Sequence, residues 1–285
     1  MSAASVVAAR YPRITRTVRG WVGEGVRIGE QTRFYGQTIA AIGDAMFRYK
    51  TETLRLVAQM GLGTGALALI GGSTAVVGFL TMMTGALVAV QGYNLLASTS
   101  TEALTGFASA FFNVRLISPL TAAIALAATI GAGATAQLGA MRINEEIDAL
   151  EVMGIRSIAY LASTRVLAGA IVVVPLYCVA MLMSFLAARF GTTFIYGQST
   201  GVYDHYFNTF LIPTDLIWSF LQAFAMAIVI MLVHTYYGYT ATGGPAGVGE
   251  AVGRAVRTSL IVSALVILFV SLAIYGRGGN FNMSG

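Results

Sequence analysis

Five long apolar runs constrain this chain more than any other feature of its sequence. The longest stretch without a charge lies between Arg55 and Glu102 and has 46 residues. A transmembrane α-helix needs about 20 consecutive apolar residues to cross the hydrocarbon core of a bilayer. Each run is long enough for one such helix, so the sequence predicts five membrane spans. They are expected at residues 65–90, 116–141, 166–188, 213–238 and 258–276.

The composition excludes the common alternative, a water-soluble enzyme. Hydrophobic residues make up 56% of the chain and charged residues only 10%, whereas soluble domains carry about 25% charged residues. A core of this size cannot bury so much apolar surface, so part of that surface must face the hydrocarbon of a lipid bilayer. We therefore predict an all-α polytopic membrane protein in which residues 1–285 form a single domain.

Lysine and arginine are distributed unevenly over the predicted loops. If the N-terminus lies inside, fourteen of these residues lie on the inner side and three on the outer side. Cytoplasmic loops of membrane proteins carry the excess of basic residues. The predicted orientation is therefore a cytoplasmic N-terminus and, with five spans, an external C-terminus.

Few residues offer chemistry for a catalytic or metal site. Lys50 is the single lysine and follows Arg48 and Tyr49, so the chain contains no phosphate-binding P-loop. The single cysteine, Cys178, excludes an intramolecular disulfide and is predicted to be a small core residue. His205 and His234 have no Glu or Cys at metal-ligand spacing. No metal and no cofactor is predicted.

An amphipathic helix is predicted before the first span, within a cytoplasmic region of residues 1–55. Its apolar residues recur at spacings of four, three and four, which is the period of an α-helix. Because the segment is rich in arginine and precedes a span, a position in the membrane interface is favoured over a surface helix of a soluble core. The predicted apolar face is Tyr35, Ile39, Ile42 and Met46, opposite Arg33, Gln37, Asp44 and Arg48.

Local signals refine the spans and their connections. Of the 19 residues from 122 to 140, 12 are Ala or Gly, which predicts that span two lies inside the bundle. Pro175 predicts a kink in span three. The glycine-rich residues 243–247 predict a loop. Residues 189–214 are predicted to form an external loop. Its aromatic side chains would form an interfacial belt, a docking surface for an outside partner, or both.

The densest charge cluster lies between spans two and three, on the predicted cytoplasmic side. Residues 142–158 are predicted to form an amphipathic helix with Ile143, Ile147, Leu150 and Gly154 on one face. No histidine, nucleophile or metal partner is nearby, so an acid/base catalytic role is disfavoured. A docking surface for a soluble partner and a solvated loop helix both remain open. The acidic residues are Glu145, Glu146, Asp148 and Glu151.

The same region resembles a known family. Residues 137–142 (Gln-Leu-Gly-Ala-Met-Arg) and 145–155 (Glu-Glu-Ile-Asp-Ala-Leu-Glu-Val-Met-Gly-Ile), with Arg115 and Pro119, are similar to the signature of the MlaE/YrbE permeases. The resemblance extends from the N-terminal helix to the glycine-rich segment. These permeases are the membrane subunits of ABC lipid transporters that work with MCE-domain proteins.

The resemblance implies a transport permease of the plasma (inner) membrane that is not itself an enzyme. A cytosolic ABC ATPase dimer would bind the acidic helix as a coupling helix. A second permease, unlike or identical, would complete the membrane part. MCE proteins outside would conduct a hydrophobic lipid, and import is the expected direction. No nucleic acid is implied. In the coupling helix, Ile147 and Leu150 would pack on the permease or fill the ATPase groove, and Glu145, Glu146, Asp148 and Glu151 would pair with basic groups of the ATPase.

Three charges of the family pattern are absent. Leu116, Thr129 and Gln137 stand where the family often has Glu, Arg and Glu. Their loss suggests either a less polar cargo or a partner permease that supplies the charges. This pattern, and the use of Arg over Lys, is similar to the actinobacterial YrbE chains of Mce systems, which pair as two unlike subunits.

A cargo cavity is expected where span one and the start of span two meet the partner chain. Leu87 would line this lipid pocket, and Tyr93 and Arg115, near the outer side, would meet the polar end of the lipid. The alternative is that Tyr93 and Arg115 are ordinary interface anchors.

Two other functions compete with lipid transport by an ABC system. An ion-coupled secondary transporter or channel usually keeps ionisable groups at mid-membrane, and the nearest candidate, His234, lies close to the cytoplasmic end of span four. An intramembrane lipid-modifying enzyme would need a nucleophile or paired acids at bilayer depth. Apart from Cys178, the runs offer only scattered serines and threonines.

Overall fold

All regular secondary structure that the computed structural model describes, over residues 12–63 and 72–275, is helical. Five of these helices are long and apolar enough to cross a membrane, which confirms the all-α polytopic prediction. The helices are α1 Pro12–Ala40, α2 Ile42–Phe47, α3 Lys50–Leu62, α4 Gly72–Ala97, α5 Glu102–Ile143, α6 Glu146–Val152, α7 Ile158–Ile195, α8 Thr200–Phe210, α9 Pro213–Tyr239 and α10 Gly244–Tyr275. The candidate spans are α4, α5, α7, α9 and α10.

The spans are longer than the apolar runs that predicted them. Helix α4 continues to Ala97, while the predicted beginning at residues 65–71 lies outside the described residues. Helix α5 begins fourteen residues before the predicted start, at Glu102, and α7 extends to Ile195. The apolar run marks only the part of a helix that crosses hydrocarbon. The helix itself continues into the interface, where water and lipid headgroups can solvate polar side chains.

The glycine-rich segment predicted as a loop is instead the beginning of α10. Gly243 and Gly244 have φ values of 90° and 68° and form the tight turn from α9. Pro245 then lies in the first turn of α10, where its missing N–H leaves no helical hydrogen bond unmade. Glycine therefore shapes the sharp reversal, and the helix starts directly after it.

The region of residues 189–214, which the sequence predicts to be an external loop, is largely helical as well. After α7 ends at Ile195, helix α8 packs against the first part of α5. Tyr203 of α8 is 1% exposed, and a Cβ on Gly106 of α5 would lie 2.4 Å from its carbonyl oxygen. An ion pair of 2.7 Å joins Arg189 to Asp204. The aromatic residues of this region thus hold a helix in place.

The N-terminal amphipathic segment is divided into separate helices. Helix α1 ends at Ala40 and α2 begins at Ile42, so the helix predicted through residues 35–48 is interrupted. The side chains that face the bundle are Phe34, Thr38 and Ala45, each less than 7% exposed. The predicted apolar face is only half-buried at Tyr35 and Ile42. Ile39 and Met46 are exposed, with Phe47 beside them, and suit the interface predicted for this segment.

Span two lies inside the bundle, as its small side chains predicted. Helix α5 contacts all four other spans. The approach is close at Gly131, where a Cβ would lie 2.6 Å from the His234 ring, and at Gly139, where it would lie 2.7 Å from Val248. Two π-helical stretches, Asn113–Ile117 and Ala127–Gly131, interrupt the α-helix.

Cys178 is exposed on α7, so the prediction of a core position is wrong. It lies on a stripe with Val174 and Leu182, which are 39% and 58% exposed. A spacing of four residues keeps these side chains on one face of the helix. In a bilayer such a face meets lipid or another membrane chain, and apolar character alone does not distinguish it from the core. Pro175 lies within the α-helix from Thr164 to Phe190.

Candidate coupling helix and lipid groove

The acidic helix α6, Glu146–Val152, is shorter than the predicted residues 142–158. Glu145, just before it, has a φ of 60°, in the left-handed region that few residues other than glycine adopt. Gly154 follows the helix with a φ of 77°. The chain therefore turns sharply on both sides, which makes α6 a separate short element. Nη1 of Arg142 bonds Oδ1 of Asp148 at 2.6 Å and braces its first turn.

The apolar face of α6 packs against the chain itself. Ile147 is fully buried and clusters with Leu138 of α5 and Leu161 of α7. Leu150 is half-buried at the edge of the same cluster. Of the two roles that the sequence left open for Ile147 and Leu150, the geometry therefore favours packing on the chain's own helices.

The four acidic residues of this region have different surroundings. Glu145 and Glu146 are exposed, and Glu146 receives only a long bond of 3.4 Å from Asn144. The carboxylate of Asp148 already pairs with Arg142. The carboxylate of Glu151 accepts hydrogen bonds from Ser157 and Tyr239. Glu145 and Glu146 are thus the best placed of the four to meet a partner.

Two apolar residues at the end of α6 were missed by the sequence analysis. Val152 is 90% exposed and Met153 is 65% exposed. They lie at the tip of a short acidic element on the predicted cytoplasmic side, remote from the apolar runs. The predicted helix continued through Gly154, so its helical wheel did not indicate that Val152 and Met153 lie at an exposed helix end. A glycine that ends the helix after Val-Met is the signal that could have revealed them.

An apolar groove of about 530 Å³ lies between α4 and α5. No charged side chain is among its lining residues, and Leu87, the residue predicted to line the lipid pocket, is one of them. Part of its wall comes from the first π-helical stretch of α5. The lining residues are Thr84, Leu87, Val88, Gln91, Gly92, Leu95, Ala108, Phe112, Leu116, Ile117, Leu120, Thr121 and Ile124.

The two polar residues predicted for the lipid pocket are not among those lining residues. The Tyr93 ring stacks on Tyr196 with 4.3 Å between the centroids. Nε and Nη2 of Arg115 both bond Oδ2 of Asp215, at 2.9 and 2.7 Å. The guanidinium of Arg115 also lies 4.3 Å from the centroid of the Phe111 ring. A charge in apolar surroundings needs a counter-charge, and span four supplies one to Arg115.

His234, the candidate for ion coupling, belongs to a buried polar contact between three spans. Its Nδ1 lies 2.7 Å from the Thr135 hydroxyl and its Nε2 lies 3.1 Å from the Ser259 hydroxyl. Both ring nitrogens therefore have partners from neighbouring helices. Within residues 12–63 and 72–275, no group of three His, Cys, Asp or Glu side chains could hold a metal ion.

Related proteins place this architecture in a family of transport proteins. The chain is 26% identical over 254 residues to a "Probable ABC transporter permease protein" of Rickettsia felis, a match covering 86% of this chain and 93% of the relative. It is 28% identical over 157 residues to "Protein TRIGALACTOSYLDIACYLGLYCEROL 1, chloroplastic" of Arabidopsis thaliana, covering 55% of this chain and 43% of that one.

The family match covers four of the five spans entirely and nearly all of the fifth. The model described as permease MlaE matches residues 63–273, from before α4 to near the end of α10. The acidic helix and the groove both lie within these residues. The chain is therefore a multi-pass membrane protein that belongs to the MlaE permease family.

Proposed function

We propose that the chain is the permease subunit of an ATP-driven ABC transporter that moves hydrophobic lipids across the cell envelope. The observation that carries this proposal is the family match over the spans, the acidic helix and the groove. Relatives named as ABC transporter permeases support it, and the Arabidopsis relative has the name of a glycerolipid. ATP hydrolysis belongs to a separate subunit, since the chain has no P-loop.

The ATPase contact consists of the exposed tip of α6. Val152 and Met153 insert into an apolar depression of the ATPase, and Glu145 and Glu146 face its basic rim. Exposure supports this assignment, because Val152 is the most exposed of the large apolar residues in the described chain, at 90%. Asp148 and Glu151, already bonded within the permease, hold α6 rather than the partner.

The cargo lies with its apolar chain in the groove between α4 and α5, which a second permease, identical or unlike, covers. Walls without charge suit an alkyl chain and give no binding energy to a charged headgroup. The exposure of Leu87, Leu95 and Phe112 supports an occupied groove, because 47–73% of each side chain is uncovered. MCE proteins receive or supply the lipid on the outer side, and import is the expected direction.

Copurification tests the ATPase contact. We expect the tagged chain, purified from its native membrane, to retain a cytosolic ATPase and a lipid that mass spectrometry identifies. Val152→Ser with Met153→Ser should abolish ATPase retention. Phe47→Ser is the matched control, since Phe47 is 80% exposed on the same predicted side but outside α6. A chain that carries no ATPase would overturn the proposed function, and equal retention by both variants would overturn the contact.

The proposed orientation places the protein in the plasma (inner) membrane with its N-terminus and α6 in the cytoplasm. Single cysteines at Ser5, Asn144 and Ser284, in a Cys178→Ala background, test it with an impermeant thiol reagent on intact cells. Ser284→Cys should be labelled, and the other two only after the membrane is opened. Labelling of Asn144→Cys in intact cells would reverse the topology and exclude a cytosolic partner for α6.

A further inference from the structure

The acidic helix has covalent neighbours on only two of the spans. It connects α5 to α7, whereas α9 and α10 come later in the chain. An ATPase that moves α6 therefore reaches α9 and α10 only through contacts between side chains. Besides the packing of α5 and α7 on α9, direct contacts between α6 and α9 offer such a route.

A ring of three oxygens joins the C-terminal end of α6 to α9. The Ser157 hydroxyl donates to Oε1 of Glu151 at 2.6 Å, and the Tyr239 hydroxyl reaches the same oxygen at 3.2 Å. The two hydroxyls lie 2.8 Å from each other. Ser157, just before α7, is 3% exposed. Each hydroxyl has one proton, so two of these three contacts can be hydrogen bonds at one time, and bonds to the carboxylate are stronger than the bond between the two neutral groups.

The connection continues from α9 to the N-terminal helices. The Tyr239 ring lies 5.3 Å from the ring of Phe34 on α1. The residue beside the ring of oxygens, Arg156, forms an ion pair with Asp44 of α2. Movement of α6 would thus reach α9, α1 and α2 along packed and hydrogen-bonded groups, the physical route by which such coupling travels.

We propose that Glu151 is a positioning residue that transmits movement of α6 to α9 through Tyr239, instead of pairing with the ATPase. The inference rests on the proposed function, because it assumes an ATPase that acts on α6. Oε1 of Glu151 already accepts bonds from inside the permease, so an ATPase cation would have to compete with them at that oxygen. The acceptor oxygen matters for this role, and the negative charge matters less.

Three substitutions separate these properties. Glu151→Leu removes the charge and the acceptor, Glu151→Gln removes the charge but keeps an acceptor oxygen, and Tyr239→Phe removes one donor only. Glu250→Leu is the matched control, because Glu250 is an exposed carboxylate on the same predicted side whose bond goes to Arg254 of its own helix. Each variant is introduced into the whole transporter, purified with its ATPase and reconstituted in vesicles.

We expect Glu151→Leu and Tyr239→Phe each to lower the lipid moved per ATP hydrolysed by about fivefold to tenfold, at the lower end of the usual range of coupling between sites. ATPase retention should stay unchanged, the double variant should be no worse than either single one, and Glu151→Gln and Glu250→Leu should keep most of the ratio. Tyr239→Phe, which removes one oxygen, tests the idea even if Glu151→Leu folds poorly.

Three results would overturn this inference and leave the proposed function standing. They are an unchanged ratio in Tyr239→Phe, multiplied losses in the double variant, or a Glu151→Gln variant that loses the ATPase as Glu151→Leu does. The last result would mean that the charge pairs with the ATPase. A wild-type complex that contains no ATPase would instead overturn the proposed function, so the two failures are distinct.

Discussion

The ion pair between Arg115 and Asp215 gives a direct test of whether Arg115 holds the bundle or the lipid. The two side chains are 15% and 14% exposed, and both bonds from the guanidinium go to one carboxylate oxygen. Asp215 lies in the first turn of α9, where the helix dipole favours a negative charge. We compare Asp215→Asn, Arg115→Met and the double variant.

The two single substitutions should differ in their cost. Asp215→Asn leaves a guanidinium that cannot lose its proton, and breaking a buried pair in this way costs about 3 kcal/mol. Arg115→Met should cost about 1–2 kcal/mol, because the remaining carboxylate sits at a helix N-terminus, where the helix dipole favours a negative charge. The double variant should lie within about 1 kcal/mol of the wild type, since no charge is left unpaired.

Thermal unfolding of the purified chain in detergent measures these differences. At about 2–4 °C per kcal/mol, Asp215→Asn should lower the melting temperature by about 6–12 °C. Lipid transport by the double variant then separates the two roles of Arg115. A double variant that regains stability but transports no lipid would refute our reasoning, and would return Arg115 to the lipid pocket predicted from the sequence.

Three further substitutions test the packing and the groove. Ile147→Ala should destabilise the fully buried anchor of α6 by about 3 kcal/mol and release the ATPase, and unchanged stability would show that the cluster around it does not hold the helix. Gly131→Val should abolish folded protein in fluorescence-detected size exclusion, because its Cβ would clash at 2.6 Å, whereas Gly133→Val, with open space around it, should not. Leu87→Trp should reduce lipid recovered by mass spectrometry, whereas Leu186→Trp on the exposed face of α7 should leave it unchanged; equal effects would place the cargo elsewhere.

Much of the fold can be predicted from the sequence because the bilayer imposes a simple rule. A helix must hide its backbone from hydrocarbon, so each apolar run of about 20 residues identifies one span. The same reasoning placed span two inside the bundle, from its alanines and glycines. It could not place Cys178, since the lipid-facing and core-facing sides of a span are both apolar. Nor could it find the ends of α5 and α7, which continue into the interface.

In the candidate site, too, some features follow from the sequence and others only from the tertiary structure. Sequence periodicity was enough to locate the acidic segment and to assign Ile147 to its packing face. The partners of Glu151 and Arg115 are Tyr239 and Asp215, 88 and 100 positions away, which only the tertiary structure brings within hydrogen-bond distance. Local pattern reports which side of a helix a residue occupies. Which partner compensates a polar group in an apolar bundle is decided by how the helices pack, and that determines which carboxylates and guanidinium groups remain available for function.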